Sequence, residues 1–207
     1  MPIFNIKQSN TDLLIMTLST ALALIFKQTT VYYVVYMFWW HELINQVIGR
    51  ICNKKQVDAA APQKTGISSP ILMMVVYFIF INAIFGLVAD YSNKENIYTN
   101  LEILMFKNWF FNLYLIFTIV EHIYLYKNGL KSLNPETLIS ANMIVLHVSI
   151  ILGGIATMVV VPRFQNFFTD QEQLRTLLII MPFLFLRYIA YRYFNTYDSP
   201  TKSSKGN

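Results

Sequence analysis

The residues of this chain that can do chemistry lie inside stretches that are otherwise apolar. In the second apolar run, one stripe follows the spacing i, i+3, i+4 and i+7: Glu42, Asn45, Gln46 and Gly49. That spacing places all four on one face of a helix. His41 borders the same face, about 100° round the helix from Glu42. A carboxylate in hydrocarbon costs several kcal/mol, so this stripe is expected to face other helices.

Other apolar runs supply partners for this stripe. Each carries polar or charged residues: Asn82, Glu121, His122, His147 and Arg187. At a rise of about 1.5 Å per residue, the depths from the inner helix ends are roughly 7 Å for Glu121, roughly 9–10 Å for His147 and Arg187, and roughly 13 Å for Glu42. The sequence therefore predicts one polar cluster in the inner half of a bundle, made of His41, Glu42, Asn45, Asn82, Glu121, His122, His147 and Arg187.

Three interpretations of this cluster remain open. It is a structural network, in which Arg187 neutralises Glu42 or Glu121. It is a proton or ion path of a small carrier or channel, because intramembrane ionisable groups are functional candidates by default. Or it is a divalent-metal site of a membrane enzyme, with zinc or iron held by His41, Glu42 and His147. No spaced ligand motif or catalytic motif decides between them, so substrate, reaction and catalytic residues stay unknown.

The composition indicates what must position these residues. The chain has 207 residues, 55% of them hydrophobic and 13% charged, with a mean hydropathy of +0.44. A soluble domain has roughly 25% charged residues, so lipid is expected to cover much of this surface. A membrane-spanning helix needs roughly 17–25 apolar residues. Six runs qualify or nearly do: Thr11–Phe26, Val31–Ile51, Pro70–Asp90, Lys107–Tyr126, Ile139–Val161 and Leu174–Phe194. We predict an all-α bundle of six membrane spans.

The basic residues predict the direction of the spans. With both termini in the cytoplasm, ten Lys and Arg residues fall on the inner side and five on the outer side, as the positive-inside rule requires. Residues 1–198 are predicted to form one domain, and residues 199–207 a disordered cytoplasmic tail. The capping-box pattern Thr99–Glu102 predicts a short interfacial helix before the fourth span. The expected partner is the lipid bilayer, with a homo-oligomer possible, and the basic charge is not that of a nucleic-acid-binding protein.

The fifth run carries a resemblance to a known family. The stretch from Asn142 through Val-Leu-His147 to Gly153-Gly154, together with Trp40-His41-Glu42 in the second run, resembles an uncharacterised bacterial multi-pass membrane family, domain of unknown function 6498. The six-span layout and the basic tail are similar as well. The resemblance implies a protein of the bacterial inner membrane without a known activity, in which Glu42 and His147 are paired features.

The chain also departs from that family's pattern. The family has histidines on its third span, where this chain has Tyr77 and Asn82, and an arginine before Val-Leu-His, where this chain has Asn142. A family site that used those groups is therefore expected to be altered or absent here.

Overall fold

The chain is helical throughout the part that the structure describes. A computed structural model of the protein describes residues 9–57, 68–88, 93–128, 141–155, 158–159, 163 and 172–197. Its α-helices are α1 (Ser9–Ile25), α2 (Val31–Val57), α3 (Ser68–Ile81), α4 (Lys94–Leu104), α5 (Trp109–Lys127), α6 (Ala141–Ile155) and α7 (Glu172–Tyr197). The all-α prediction is confirmed, and the predicted tail at residues 199–207 lies outside the described residues.

Helix α2 lies at the centre of the fold. Its residues from Tyr32 to Phe38 are each no more than 2% exposed, although three of them are tyrosines. Helices α3, α5, α6 and α7 all pack against α2. Because neighbours surround it, α2 can carry polar side chains that would be costly on an apolar surface.

Contacts along α2 define the direction of its neighbours. The Tyr33 ring lies 5.9 Å from that of Phe111, and further along both helices the Tyr126 hydroxyl donates to Asn45 Oδ1 at 2.9 Å. Helices α2 and α5 therefore run parallel. Trp39 of α2 donates its indole N–H to the Met74 carbonyl of α3 at 2.8 Å. Tyr32, nearer the start of α2, bonds to Asn82, directly after the end of α3. The two contacts together show that α3 runs antiparallel to α2.

Helix α3 continues directly into a π-helical segment, Asn82–Val88. Asn82 accepts a hydrogen bond from Tyr32 at 2.9 Å and donates its own amide to the Phe78 carbonyl at 2.7 Å. Asn100 of α4 donates to the Phe85 carbonyl at 3.1 Å. Wide π turns leave backbone groups displaced from α-helical partners, and these two asparagines satisfy carbonyls on either side of the segment's start.

Helix α4 begins earlier than the sequence predicted. Asn93 is its N-cap, and the Asn93 side chain accepts from the Asn96 backbone N–H at 3.3 Å. The prediction that Thr99 would cap the helix was wrong, because Thr99 lies inside α4 and donates its hydroxyl to the Glu95 carbonyl at 3.1 Å. A cap asparagine satisfies an N–H that has no partner within the helix.

A sharp corner separates α4 from α5. Phe106 has a φ of 57°, a left-handed conformation, and Asn108 then caps α5 by accepting from the Phe111 N–H at 3.0 Å. The other end of the Asn108 amide donates to the Gln28 carbonyl at 3.0 Å, in the turn between α1 and α2. Asn108 therefore fixes the start of α5 against the start of α2, which sets the axial register of these two parallel helices.

The outer surface of the bundle is apolar. Large hydrophobic side chains are exposed on α1, α3, α5, α6 and α7, among them Leu18, Ile79, Phe117, Ile151 and Phe185. By length and composition, one helical stretch, Lys94–Lys127, is long and apolar enough to cross a membrane. Shorter apolar helices occur at Leu13–Ile25, Leu72–Val88, Met143–Ile155 and Leu177–Ile189.

Candidate functional site

Two facing stripes on α2 and α5 form a buried polar layer, which we call the polar centre. From α2 it contains His41, Glu42, Asn45 and Gln46. From α5 it contains Tyr114, Thr118, His122 and Tyr126, all buried and spaced four residues apart. A spacing of four residues keeps side chains on nearly one face of a helix. Because α2 and α5 are parallel and in fixed register, the two stripes meet along their length.

The carboxyl group of Glu42 is completely buried, with 0% of the residue exposed. Its Oε1 accepts a hydrogen bond from Gln46 Nε2 at 2.7 Å, one helical turn further along α2. Tyr126 of α5 is also within electrostatic range of Glu42. The carboxyl group thus has a hydrogen-bond donor one turn along its own helix and a polar side chain of α5 nearby, and a buried ionisable group requires such neighbours.

Two histidines meet between the helices. The rings of His41 and His122 lie 5.0 Å apart, centroid to centroid, at an interplanar angle of 80°. Both residues are buried, at 3% and 1% exposure. The Tyr114 hydroxyl lies 3.2 Å from His41 Nδ1. Two adjacent imidazoles can exchange a proton, because each has one nitrogen that accepts and one that donates.

The backbone decides which nitrogen of His122 carries its proton. His122 Nδ1 lies 2.9 Å from the Thr118 carbonyl oxygen. A carbonyl can only accept, so Nδ1 must donate, and in the neutral ring Nε2 is then the accepting nitrogen. In its neutral form, His122 therefore has a defined tautomer, with the proton on Nδ1.

Arg187 of α7 lies beside this layer. It is 7% exposed, and its guanidinium carbon is 5.8 Å from the centroid of the Phe38 ring on α2. Glu121 is directly before His122 on α5 but is only half-buried. Adjacent residues of a helix point about 100° apart, so Glu121 lies to one side of the buried stripe. Of the predicted cluster, the structure thus brings together His41, Glu42, Asn45 and His122, with Arg187 at their edge.

His147 and Asn82 lie elsewhere. His147 is exposed on α6, where its Nδ1 is 3.0 Å from the Tyr77 hydroxyl of α3. Asn82 is bonded to Tyr32, which is about 15 Å along the α2 axis from Glu42 at the usual helical rise. His147 was predicted in the cluster from its depth, and Asn82 from its position near the middle of the third run. Neither observation reveals which way a side chain points.

The structure does not bring together the three residues that the metal interpretation named. Among the described residues, no group of three or more His, Cys, Asp or Glu side chains is placed to hold a metal ion. His41, Glu42 and His147 are all described, so the structure does not gather them as ligands. The physical reason is that α6 directs His147 outward, toward Tyr77, while α2 directs Glu42 into the bundle.

The tyrosines of the polar centre were not predicted from the sequence. Tyr114 and Tyr126 extend the Thr118–His122 pair by one turn on either side, and Tyr126 donates to Asn45. The signal was the unbroken spacing of four residues along α5, which was hidden because tyrosines near helix ends are typical of membrane interfaces.

Comparison with known proteins identifies no relative. No model of a protein family matches the chain, and neither a curated protein nor a solved structure does. The resemblance to domain of unknown function 6498 stays a prediction, and the function has to be argued from the polar centre itself.

Proposed function

We propose that the protein is an integral membrane bundle whose polar centre handles protons, as part of a small proton-coupled carrier. Polar side chains are buried in the polar centre, whereas many large apolar side chains are exposed, which is the arrangement that a lipid environment favours. The polar centre is buried around α2, while Leu18, Phe117 and Phe185 are among the exposed apolar residues. In water, an exposed apolar surface of this kind would drive aggregation.

The directions of the helices support six spans with both termini in the cytoplasm. Parallel α2 and α5, and antiparallel α3, agree with a chain that crosses the bilayer in alternating directions. Helix α5 has 19 residues, or about 28 Å at the helical rise, close to the thickness of the hydrocarbon core. Helix α4 is separated from α5 by the corner at Phe106 and is not part of this membrane-spanning length. The excess of basic residues on the predicted inner side sets the orientation.

The observation that carries proton handling is the buried contact between His41 and His122. Imidazole is the side chain whose ordinary pKa allows it to gain and lose a proton near neutral pH. The bond to the Thr118 carbonyl leaves Nε2 as the accepting nitrogen of neutral His122, and the second imidazole, His41, lies beside that ring with the Tyr114 hydroxyl 3.2 Å from its own Nδ1. A proton taken up by one ring can pass to its neighbour without the formation of an isolated charge far from a partner.

Proton flux into liposomes tests this function. Purified protein is reconstituted with an entrapped pH-sensitive dye, and a potassium diffusion potential drives protons inward. We expect flux above that of protein-free liposomes, and its loss in His41→Asn and His122→Asn. Asparagine at His122 retains a donor for the Thr118 carbonyl but cannot be protonated near neutral pH, so the substitution separates proton transfer from the local hydrogen bond.

His147→Asn is the matched control. It is the same substitution at an exposed histidine outside the polar centre, and we expect its flux to equal that of the wild type. The proposal is refuted if wild-type liposomes are no more permeable to protons than empty ones. It is also refuted if all three histidine variants retain full flux.

A further inference from the structure

We propose that Arg187 is the positioning residue of the polar centre and that it pairs electrostatically with Glu42. Its meaning for proton transfer rests on the proposed function, since a Glu42 that is paired with Arg187 leaves the two histidines as the groups that exchange protons. The pairing itself depends only on the geometry of α2 and α7.

The first argument is the position of the guanidinium group. Arg187 is buried at 7% exposure and lies over the Phe38 ring, with 5.8 Å between its Cζ and the ring centroid. This distance is within the range of a cation–π contact. A ring face alone does not compensate a buried guanidinium charge, and such charges are normally accompanied by an anion.

The second argument is the geometry of α2. Phe38 and Glu42 are four residues apart, so they lie on nearly the same face of the helix. Side chains of a helix lean toward its N-terminus, and the Glu42 side chain therefore extends over the turn that carries Phe38. Arg187 sits above that turn. The cation of α7 and the anion of α2 thus approach the same place from two packed helices.

The third argument decides between the two carboxylates that the sequence offered. Within the described residues, α7 packs against α1, α2 and α6, whereas Glu121 lies on α5, which packs against α1 and α2. Glu121 is also half-buried, while Glu42 is completely buried. The deeper carboxylate has the greater need of a counter-charge, because water cannot stabilise it.

Arg50 is the competing cation on α2, and helix geometry excludes it. It lies eight residues beyond Glu42, about 12 Å along the axis, and Glu42 leans in the opposite direction. Among the described residues, the neighbours of Glu42 include Gln46, which donates to it, and Tyr126, His41 and His122, none of which is a permanent cation. Within this part of the chain, Arg187 is the permanent cation best placed to pair with Glu42.

A double-mutant cycle on thermal stability tests the pair. Glu42→Gln and Arg187→Gln each remove one member of the pair and leave the other buried without its partner, so we expect each to lower Tm by roughly 6 °C or more. The double variant removes both charges, so its Tm is expected to lie above that of either single variant. Arg187→Lys keeps the charge and is expected to lose less than Arg187→Gln. Glu42→Gln with Arg50→Gln is the matched control, in which the two shifts are expected to add.

Infrared spectroscopy provides a readout that a merely structural role would not change. At neutral pH, Arg187→Gln is expected to gain the C=O stretch of a protonated carboxyl group, because Glu42 then has no fixed counter-charge in a low-dielectric site. The same band must be absent from the double variant, which lacks the carboxyl group. Additive Tm shifts in the Glu42–Arg187 cycle would overturn the pairing, as would an Arg187→Gln spectrum identical to that of the wild type. Coupled shifts without proton flux would support the pairing and refute only the proposed function.

Discussion

Gly153 is the position at which one methyl group should have the largest measurable effect on packing. It lies on α6, where a Cβ atom would be 2.7 Å from Phe85 Cε1, 2.8 Å from Phe85 Cζ and 3.3 Å from Phe183 Cζ. Both rings are completely or almost completely buried, at 0% and 1% exposure. The substitution Gly153→Ala therefore pushes against side chains that have no solvent to move into.

The size of the effect follows from these distances. Ordinary carbon contacts begin at 3.4 Å, so the Phe85 ring must move by roughly 0.7 Å. Overpacking of this kind costs about 1–3 kcal/mol in a closely packed core. Gly to Ala in a helix also stabilises by up to about 1 kcal/mol. Gly154 provides the control, because no described atom lies within 4 Å of a Cβ at that position.

The assay compares Gly153→Ala with Gly154→Ala by thermal unfolding in detergent. Both variants share the gain in helix propensity, so their difference isolates the steric cost of about 1–3 kcal/mol. For a chain of this size that corresponds to a Tm difference of roughly 2–12 °C, with Gly153→Ala the lower. Adding Phe85→Leu should remove the difference by making room for the methyl group. Equal Tm values for the two alanine variants would refute the packing of α6 against the π-helical segment.

The remaining predictions concern the register of the helices and the direction of the spans. Asn108→Ala removes the cap of α5 and the bond to the Gln28 carbonyl; we expect a loss of about 1–2 kcal/mol in unfolding free energy, whereas the exposed Asn128→Ala should change it by less than about 0.5 kcal/mol. For direction, Cys52→Ser removes the only native cysteine, and a single cysteine is then placed at position 28 or 128. In intact cells an impermeant maleimide should label position 28 only, and labelling of position 128 before permeabilisation would contradict the orientation.

The sequence predicted the helices well because apolar runs and their breaks are local signals. The second run begins at Val31, as predicted, and the helix continues beyond Ile51 to Val57. The break between α4 and α5 was less predictable, since it depends on Asn108 contacting Gln28 from a distant part of the chain. The π-helical segment is supported in the same way by Asn100. Such long-range hydrogen bonds leave no local pattern.

The polar centre was predicted in part for a related reason. The stripe of α2 was predictable because the sequence shows both its helical periodicity and the presence of polar residues, which are costly in hydrocarbon, within an apolar run. Its partners were harder to identify, because which helices neighbour α2 and in which rotation is a property of packing. His147 has the most apolar neighbours in sequence, and this made it look buried. The fold exposes it instead beside Tyr77.

The burial of α2 has a consequence for how the protein is made. The ribosome synthesises α2 before α3, α5, α6 and α7, the helices that pack against it. Arg187 follows Glu42 by 145 residues, or roughly 7–29 s at ordinary rates of translation. During that delay Glu42 has no Arg187 with which to pair. The proposed pair can therefore form only after α7 has been synthesised, late in the making of the chain.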